Sequence, residues 1–272
     1  MNKSIFFLFF VGIFLFSSCK TEFEKLRETG DVPALLKSAD KYFAEGEYLK
    51  SQTLYESVLG SIRGKAESEQ AYFNYAYTQY HLQRYSLAAF YFKDFSAKFL
   101  NSPLREEAEF MKAFSNYRLS PSYRLDQTFS QKAIEEFQLF VNTYPTSDRV
   151  EECNRLIDVL RAKLQEKAYA EGELYFNLRN YESAVSSFEN LLKDFPETAD
   201  SEKVRYMVIR SLFLYADNSV VTKQPERYTS VTQKMGDFNK KYPKTRFSKE
   251  LAEISNTTNK KLKELRNEGY KI

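Results

Sequence analysis

Tryptophan is absent from this chain, histidine occurs once, at His81, and cysteine only twice, at Cys19 and Cys153. One histidine and two distant thiols supply neither a zinc ligand set nor a histidine-centred nucleophilic site. Glycine is scarce, at 8 of 272 residues, and no glycine-rich phosphate loop occurs. A dominant sign of charge is also missing. The 40 Lys and Arg stand against 37 Asp and Glu, interleaved along the chain, so there is no global field for nucleic acid. Carboxylate pairs do occur, at Glu106-Glu107, Glu135-Glu136 and Glu151-Glu152. They are neighbours in helical sequence, not opposed acids across a cleft. The expectation is a protein without enzymatic activity, cofactor or metal. What is abundant instead is the aromatic ring, with 20 Tyr and 24 Phe.

Long apolar runs are missing too, with one partial exception at the front. Ile5–Phe16 is apolar apart from Gly12. A helix needs about 20 residues to cross a hydrocarbon core, so this run is too short to span. Lys3 precedes it and Ser17-Ser18-Cys19 ends it, the layout of a secretory signal. "FSSC" resembles a bacterial lipobox. That resemblance implies cleavage before Cys19, a diacylglycerol on its thiol and an acyl group on the new amine. Two or more acyl chains hold a protein stably to a bilayer. The alternative is an ordinary signal with a cysteine nearby; the position of Cys19 at the end of the run favours the anchor. Cys153 then has no partner, and its helical neighbourhood "DRVEECNRLIDVL" makes it a small core residue.

Beyond Val32 apolar residues recur three and four apart, and the few prolines fall at breaks. The breaks resemble one another: "KFLNSP", "NTYPTS", "KDFPET", "KKYPKT". Each Ser or Thr there can accept from a free N–H at the start of the next helix. The segment "EKAYAEGELYFNLRNYESAVSSFENLLKDFP" resembles a tetratricopeptide repeat through Gly172, Tyr175, Tyr181, Ala184, Phe188, Leu191 and Pro196. Small residues let two antiparallel helices approach, and the rings fill the space beside them. The template also fits Ala39, Tyr42, Gly46, Tyr48, Ser51, Tyr55 and Val58, then Ala76, Tyr85, Ala88, Phe92 and Phe95. A third copy has Ala113, Ala133, Phe137, Phe140 and Pro145, with an insertion in "RLSPSYRLDQTFS". A degenerate fifth runs from Ser211 to Pro243 with a long loop around "NSVVTKQPER". The predicted fold is all-α, a solenoid of about five helix pairs after a lipoprotein signal. One long helix is expected between Pro145 and Asn180. The expected organisation is a signal at 1–18, a lipid-anchored linker at 19–32, repeats 1–3 at 33–145, and the long helix with repeats 4–5 at 146–272.

A lipobox, a short linker, five such repeats, the "SPSYRLDQT" insertion and the long helix together resemble the BamD family. These are lipoprotein subunits of the β-barrel assembly machine of Gram-negative outer membranes. The aromatic content and "FSSCK" are similar to Bacteroidota members. The resemblance implies a non-catalytic scaffold on the periplasmic face of the outer membrane. Its expected partners are a BamA-like barrel subunit, other assembly lipoproteins and the C-terminal strands of unfolded outer-membrane proteins, with no nucleic acid. A different periplasmic tetratricopeptide lipoprotein, an adaptor in envelope or peptidoglycan maintenance, stays open. A SusD-like glycan binder, usually about twice this length and with Trp platforms, fits less well.

In tetratricopeptide grooves the first helix of each pair faces the concavity. That places Asp40, Phe43 and Leu36 of the first repeat on the wall. The second gives Phe73, Tyr77 and Tyr80 with His81 beside them, and the third gives Phe110, Phe114 and Tyr117. Rings offer large contact area at low entropy cost, and their hydroxyls can satisfy a peptide backbone. Arg124, Asp126, Arg205 and Arg210, with no role in their own helix pair, are the expected docking face for the barrel subunit.

Overall fold

The computed structural model describes residues 21–271; the apolar run and the expected lipid-bearing Cys19 lie outside them. The described residues form twelve α-helices and one short 3₁₀ turn, with no strand among them. Among them, no helix is long and apolar enough to cross a membrane. The chain divides into two compact units. One runs to Ser120 and resumes at Thr128–Asn154; the other comprises Pro121–Gln127 and everything from Arg155 onward.

The first unit opens on α1 (Glu22–Thr29), a helix within the expected linker. Thr21 and Glu24 cap it reciprocally, satisfying two otherwise free N–H groups. Three helix pairs follow: α2 (Val32–Ala44) with α3 (Tyr48–Val58), α4 (Glu67–His81) with α5 (Tyr85–Lys98), and α6 (Arg105–Leu119) with α7 (Thr128–Thr143). α8 (Val150–Asn177), 28 residues long, begins in this unit and continues into the second. There its C-terminal part pairs with α9 (Tyr181–Asp194), followed by α10 (Ser201–Asp217) and α11 (Gln224–Lys241). A last helix, α12 (Ser248–Asn267), buries Leu251, Ile254, Thr258 and Leu265. It closes the stack, because a terminal pair cannot bury its apolar side alone.

The small positions of the repeat explain the packing. Ala39, Ala76, Ala88, Ala113, Ala133 and Ala184 are fully buried. Ser51 stands where other copies have Ala, and its buried hydroxyl donates to the Ala39 carbonyl at 3.0 Å. The turn within a pair is one motif used three times. Gly46, Gln83 and Arg179 take positive φ of 76°, 59° and 59°. At Gln83 the chain closes with Gln83 N–H to Tyr80 O and Arg84 N–H to Gln79 O, both 2.9 Å. The same bonds recur at Gly46-Glu47 and Arg179-Asn180, a Schellman end each time.

The aromatic-proline breaks are a second shared device. Phe99, Tyr144, Phe195 and Tyr242 each cap a helix, with N–H groups bonded to the carbonyls of Phe95, Phe140, Leu191 and Phe238. Ser102, Ser147, Thr198 and Thr245 then accept from Leu104, Arg149, Asp200 and Phe247 N–H at 3.0–3.2 Å. Ser102 and Ser147 also donate to Glu69 and Glu106, both at 2.6 Å, tying each break to the first turn of the preceding pair.

One expectation is corrected here. The long loop around "NSVVTKQPER" is short, because α11 already begins at Gln224 after the 3₁₀ turn Val221–Lys223. Pro225 sits in the first turn, where its missing N–H costs nothing and its fixed φ suits a helix.

Candidate functional site

Three first-of-pair helices of the first unit present rings at helical spacing, and the structure joins them into one chain of contacts. From Phe43 on α2 the next ring is His81 at 6.3 Å, which lies 6.0 Å from Tyr77 and 5.8 Å from Tyr80. Tyr80 on α4 meets Phe114 on α6 at 6.1 Å, and Phe114 stacks on Tyr117 at 5.6 Å. Phe43, Tyr77, Tyr80, Phe114 and Tyr117 are half-buried.

Phe73 and Phe110, expected on the same wall, are instead buried, at 7% and 2% exposure. Phe73 packs on Phe95 at 5.2 Å and Phe92 at 6.0 Å, and Phe110 on Phe140 and Phe137 at 5.9 and 6.0 Å. They fill the seams of their own pairs and support Tyr77 and Phe114 from behind, at 5.1 and 5.5 Å. Asp40 is exposed but occupied, accepting from Tyr55 Oη at 2.6 Å and Asn74 Nδ2 at 3.4 Å. It brackets the first pair to the second.

The hydroxyls divide in the same way. Tyr77 donates to Glu107, whose other oxygen pairs with Arg149 at 2.7 Å. That guanidinium lies 4.0 Å over the Phe110 ring. Burial, then the bond to Glu107, raises the Tyr77 pKa, so this hydroxyl is a committed donor. Tyr80 has only a long contact, 3.4 Å from the Arg118 guanidinium. Arg118 is the donor there, so the Tyr80 O–H itself stays free to donate. His81 stacks flat on Tyr48, 4.2 Å apart with the planes 6° off parallel, and burial lowers its pKa.

Tyr48, Tyr85 and Arg118 belong to this wall but not to the set expected from sequence. Arg118 lies 4.8 Å over the Tyr85 ring, and Tyr85 lies 5.3 Å from Tyr80. Tyr48 and Tyr85 both follow the tight turn within a pair, where the repeat template assigns an aromatic without saying which side it lies on. The arrangement offers flat apolar faces, tyrosine hydroxyls and a cation held over a ring. Among the described residues no cluster of acids, thiols and histidines could hold a metal ion. Cys153 is fully buried, and burial pushes its thiol pKa up to about 11, so it is an inert packing residue.

The expected docking residues belong to the second unit. Arg124 is exposed on the 121–127 loop beside Tyr123, with Nε 3.2 Å from its hydroxyl, and Asp126 is exposed on the same loop. The loop is held by Gln127 Nε2 to Ser122 O at 2.8 Å and Lys167 Nζ to Leu125 O at 2.9 Å. Arg205 and Arg210 are five residues apart on α10, about 140° around the helix. Arg205 enters a cavity of about 250 Å³ floored by Leu192, Val208, Ile209 and Phe238, whose wall carries the Lys234–Glu189 pair at 2.5 Å. Arg210 covers the Phe176 ring at 4.9 Å in a different groove of about 490 Å³, shared with Tyr206, Phe213, Glu250 and Glu253. The two arginines serve separate clefts and do not share one face.

A family model described as "YfiO: Outer membrane lipoprotein" matches residues 29–212. None of the curated proteins compared with the chain matches it. Among solved structures, the chain is similar to the TPR2AB domain of yeast Sti1 in complex with pHSP90. The identity is 14%, the TM-score 0.39, and the match covers 85% of this chain and 98% of that one. It is also similar to the apo form of RapI, at 13% identity and a TM-score of 0.35, covering 93% of this chain and 90% of that one.

Proposed function

The chain belongs to the YfiO family of outer membrane lipoproteins, and on that premise we propose that it is a non-catalytic scaffold of β-barrel assembly. Anchored through Cys19 at the periplasmic face, it receives unfolded outer-membrane β-barrel proteins and presents them to a BamA-like barrel subunit alongside the other assembly lipoproteins. The observation that carries this reading is the continuous wall of half-buried rings from Phe43 through Tyr80 to Tyr117. An extended strand repeats its side chains on one face every second residue, roughly 7 Å apart. The ring spacings of about 6 Å along the wall suit such a strand, with its aromatic side chains entering between them. Docking on the barrel subunit is assigned to the second unit, through the Tyr123–Asp126 loop and the clefts of Arg205 and Arg210.

A photo-crosslinker at Tyr80 tests the wall, with a peptide copying the last strand of an outer-membrane barrel. The expected result is crosslinking that a Phe114→Ala change weakens by roughly five- to thirtyfold, as for an interface residue worth about 1–2 kcal/mol. Equal crosslinking to a scrambled peptide, or none with the protein folded, refutes strand recognition here.

A further inference from the structure

The last stretch of the chain carries a charge that the rest does not. Residues 239–272 hold ten Lys and Arg against four Asp and Glu, although the whole chain has only 40 against 37. The remainder is therefore net acidic, and the basic excess is confined to the end of α11, the connection after it and α12.

The structure sorts these charges by face. Leu251, Ile254, Thr258 and Leu265 turn α12 towards the unit's core. Glu250, Glu253 and Thr257 line the groove shared with Arg210, so two of the acids are drawn to one side. Lys249, Asn256, Lys260, Lys263 and Asn267 recur at seven, four, three and four residues and so share another side. All five are exposed, as are Ala252 and Glu253, which flank the gap between Lys249 and Asn256, so Glu253 is the one carboxylate at the row's border with the groove side. The end of α11 adds Lys240, and the connection before α12 adds Lys244 and Arg246, all exposed. Among the described residues the only ion pair in this row is the 4.0 Å contact of Lys260 with Glu264. No large apolar side chain stands in the row, so it is built to lie on a surface and not to insert into one.

We infer that this row is a second, electrostatic membrane contact that lays the outer side of α12 on anionic phospholipid headgroups. A family of outer membrane lipoproteins works at a bilayer surface, and a lipid anchor joined to a basic patch holds more firmly and with a fixed orientation. Lys and Asn side chains at this spacing match a field of phosphates that need no particular register. The inference uses the membrane location of the family but not the strand-binding wall, and its test contains neither substrate nor barrel subunit.

The experiment uses the unacylated chain from Thr21 onward, which carries all twelve helices, and co-flotation with vesicles. Phosphatidylcholine alone is compared with phosphatidylcholine containing about one part in three phosphatidylglycerol. Each Lys or Arg near an anionic surface is worth roughly fivefold in partition. The combined change Lys249→Glu, Lys260→Glu and Lys263→Glu is expected to lower binding to the anionic vesicles by at least about a hundredfold. Helical content and melting should be unchanged. Binding by the parent should be lost between about 0.05 M and about 0.5 M salt. Equal binding to neutral vesicles, or full retention by the triple variant, overturns the inference. So does displacement by millimolar inorganic phosphate, which would indicate a discrete anion site. Capture by immobilised polyglutamate without any vesicle binding would assign the row to an acidic protein and overturn it as well.

Discussion

Substituting Gly172 by Ala sets two opposed effects against each other at one atom. Gly172 is the small residue of the fourth pair, buried where α8 meets α9. A Cβ there would fall 2.6, 2.7 and 2.9 Å from Cε1, Cδ1 and Cζ of Phe188. Ordinary carbon contacts lie at about 3.5–4.0 Å, so the ring must retreat by roughly 1 Å. It has little room, being fully buried and packed 5.6 Å from the Tyr169 ring. Overpacking of this kind costs about 1–3 kcal/mol, and three ring atoms in collision put this site near the top. Ala is a better helix residue than Gly by about 1 kcal/mol, which opposes the loss. The net expectation is a destabilisation of about 2 kcal/mol, seen as a fall of roughly 5–10 °C in the melting of the second unit by circular dichroism. Phe188→Leu, harmful alone, should be partly rescuing in the Gly172→Ala background, with a coupling of at least about 1 kcal/mol. A Gly172→Ala protein as stable as the parent, or strict additivity of the two changes, would refute the claim that this contact holds the pair.

Two other outcomes follow from the geometry. Gln83→Gly and Arg179→Gly should each stabilise by about 0.5–1 kcal/mol in denaturant unfolding, because a left-handed residue with a Cβ costs about 1–2 kcal/mol and glycine returns part of that as chain entropy. Destabilisation by either would mean that the side chain contributes more than the strain. His81 has a folded pKa below its unfolded value of about 6.5, so the unfolded chain binds more protons in acid, and its contribution to stability, present above about pH 6.5, declines as pH falls below that. Titration of the lone histidine by NMR should show the lowered value in the parent and a shift back towards 6.5 in Tyr48→Ala. An ordinary value in the parent, or no change on removing the ring it stacks on, sinks this account.

Much of the fold was legible because each repeat spends its small residues where two backbones approach. The positions Ala39, Ala76, Ala113, Gly172 and Ala184 were readable from the resemblance to the tetratricopeptide template, and all are buried. The hydroxyls after each aromatic break were legible as caps for the same reason: a break leaves N–H groups that need an acceptor. α1 and α12 were not visible as elements, since neither carries the repeat pattern. α12 has a single apolar stripe in a sequence dominated by Lys, Asn and Glu, and only the stack beneath it makes that stripe worth burying. Pro225 hides the start of α11 in the sequence, because proline in a first helical turn starts a helix as readily as proline elsewhere ends one.

The wall was half legible. On a helix four residues turn by about +40° and seven by about −20°, so positions 73, 77 and 80 share one face and spacing alone does not separate them. Phe73 and Phe110, in the middle of that face, reach the second helix of their own pair and pack on Phe92, Phe95, Phe137 and Phe140. Tyr77 is half-buried with its hydroxyl held by Glu107, which pairs with Arg149. Tyr80, Phe114 and Tyr117 are half-buried without such a carboxylate among the described residues. Composition cannot distinguish these three settings, because every one of them is filled by a ring. The polar neighbours do distinguish them. A Tyr whose repeat neighbour supplies a carboxylate, such as Glu107 for Tyr77, spends its O–H inside the protein, whereas Tyr80, which accepts from Arg118 at 3.4 Å, keeps its O–H donor open. On the proposed reading, a strand's backbone would meet Tyr80 and Arg118, and its side chains Phe43, Phe114 and Tyr117.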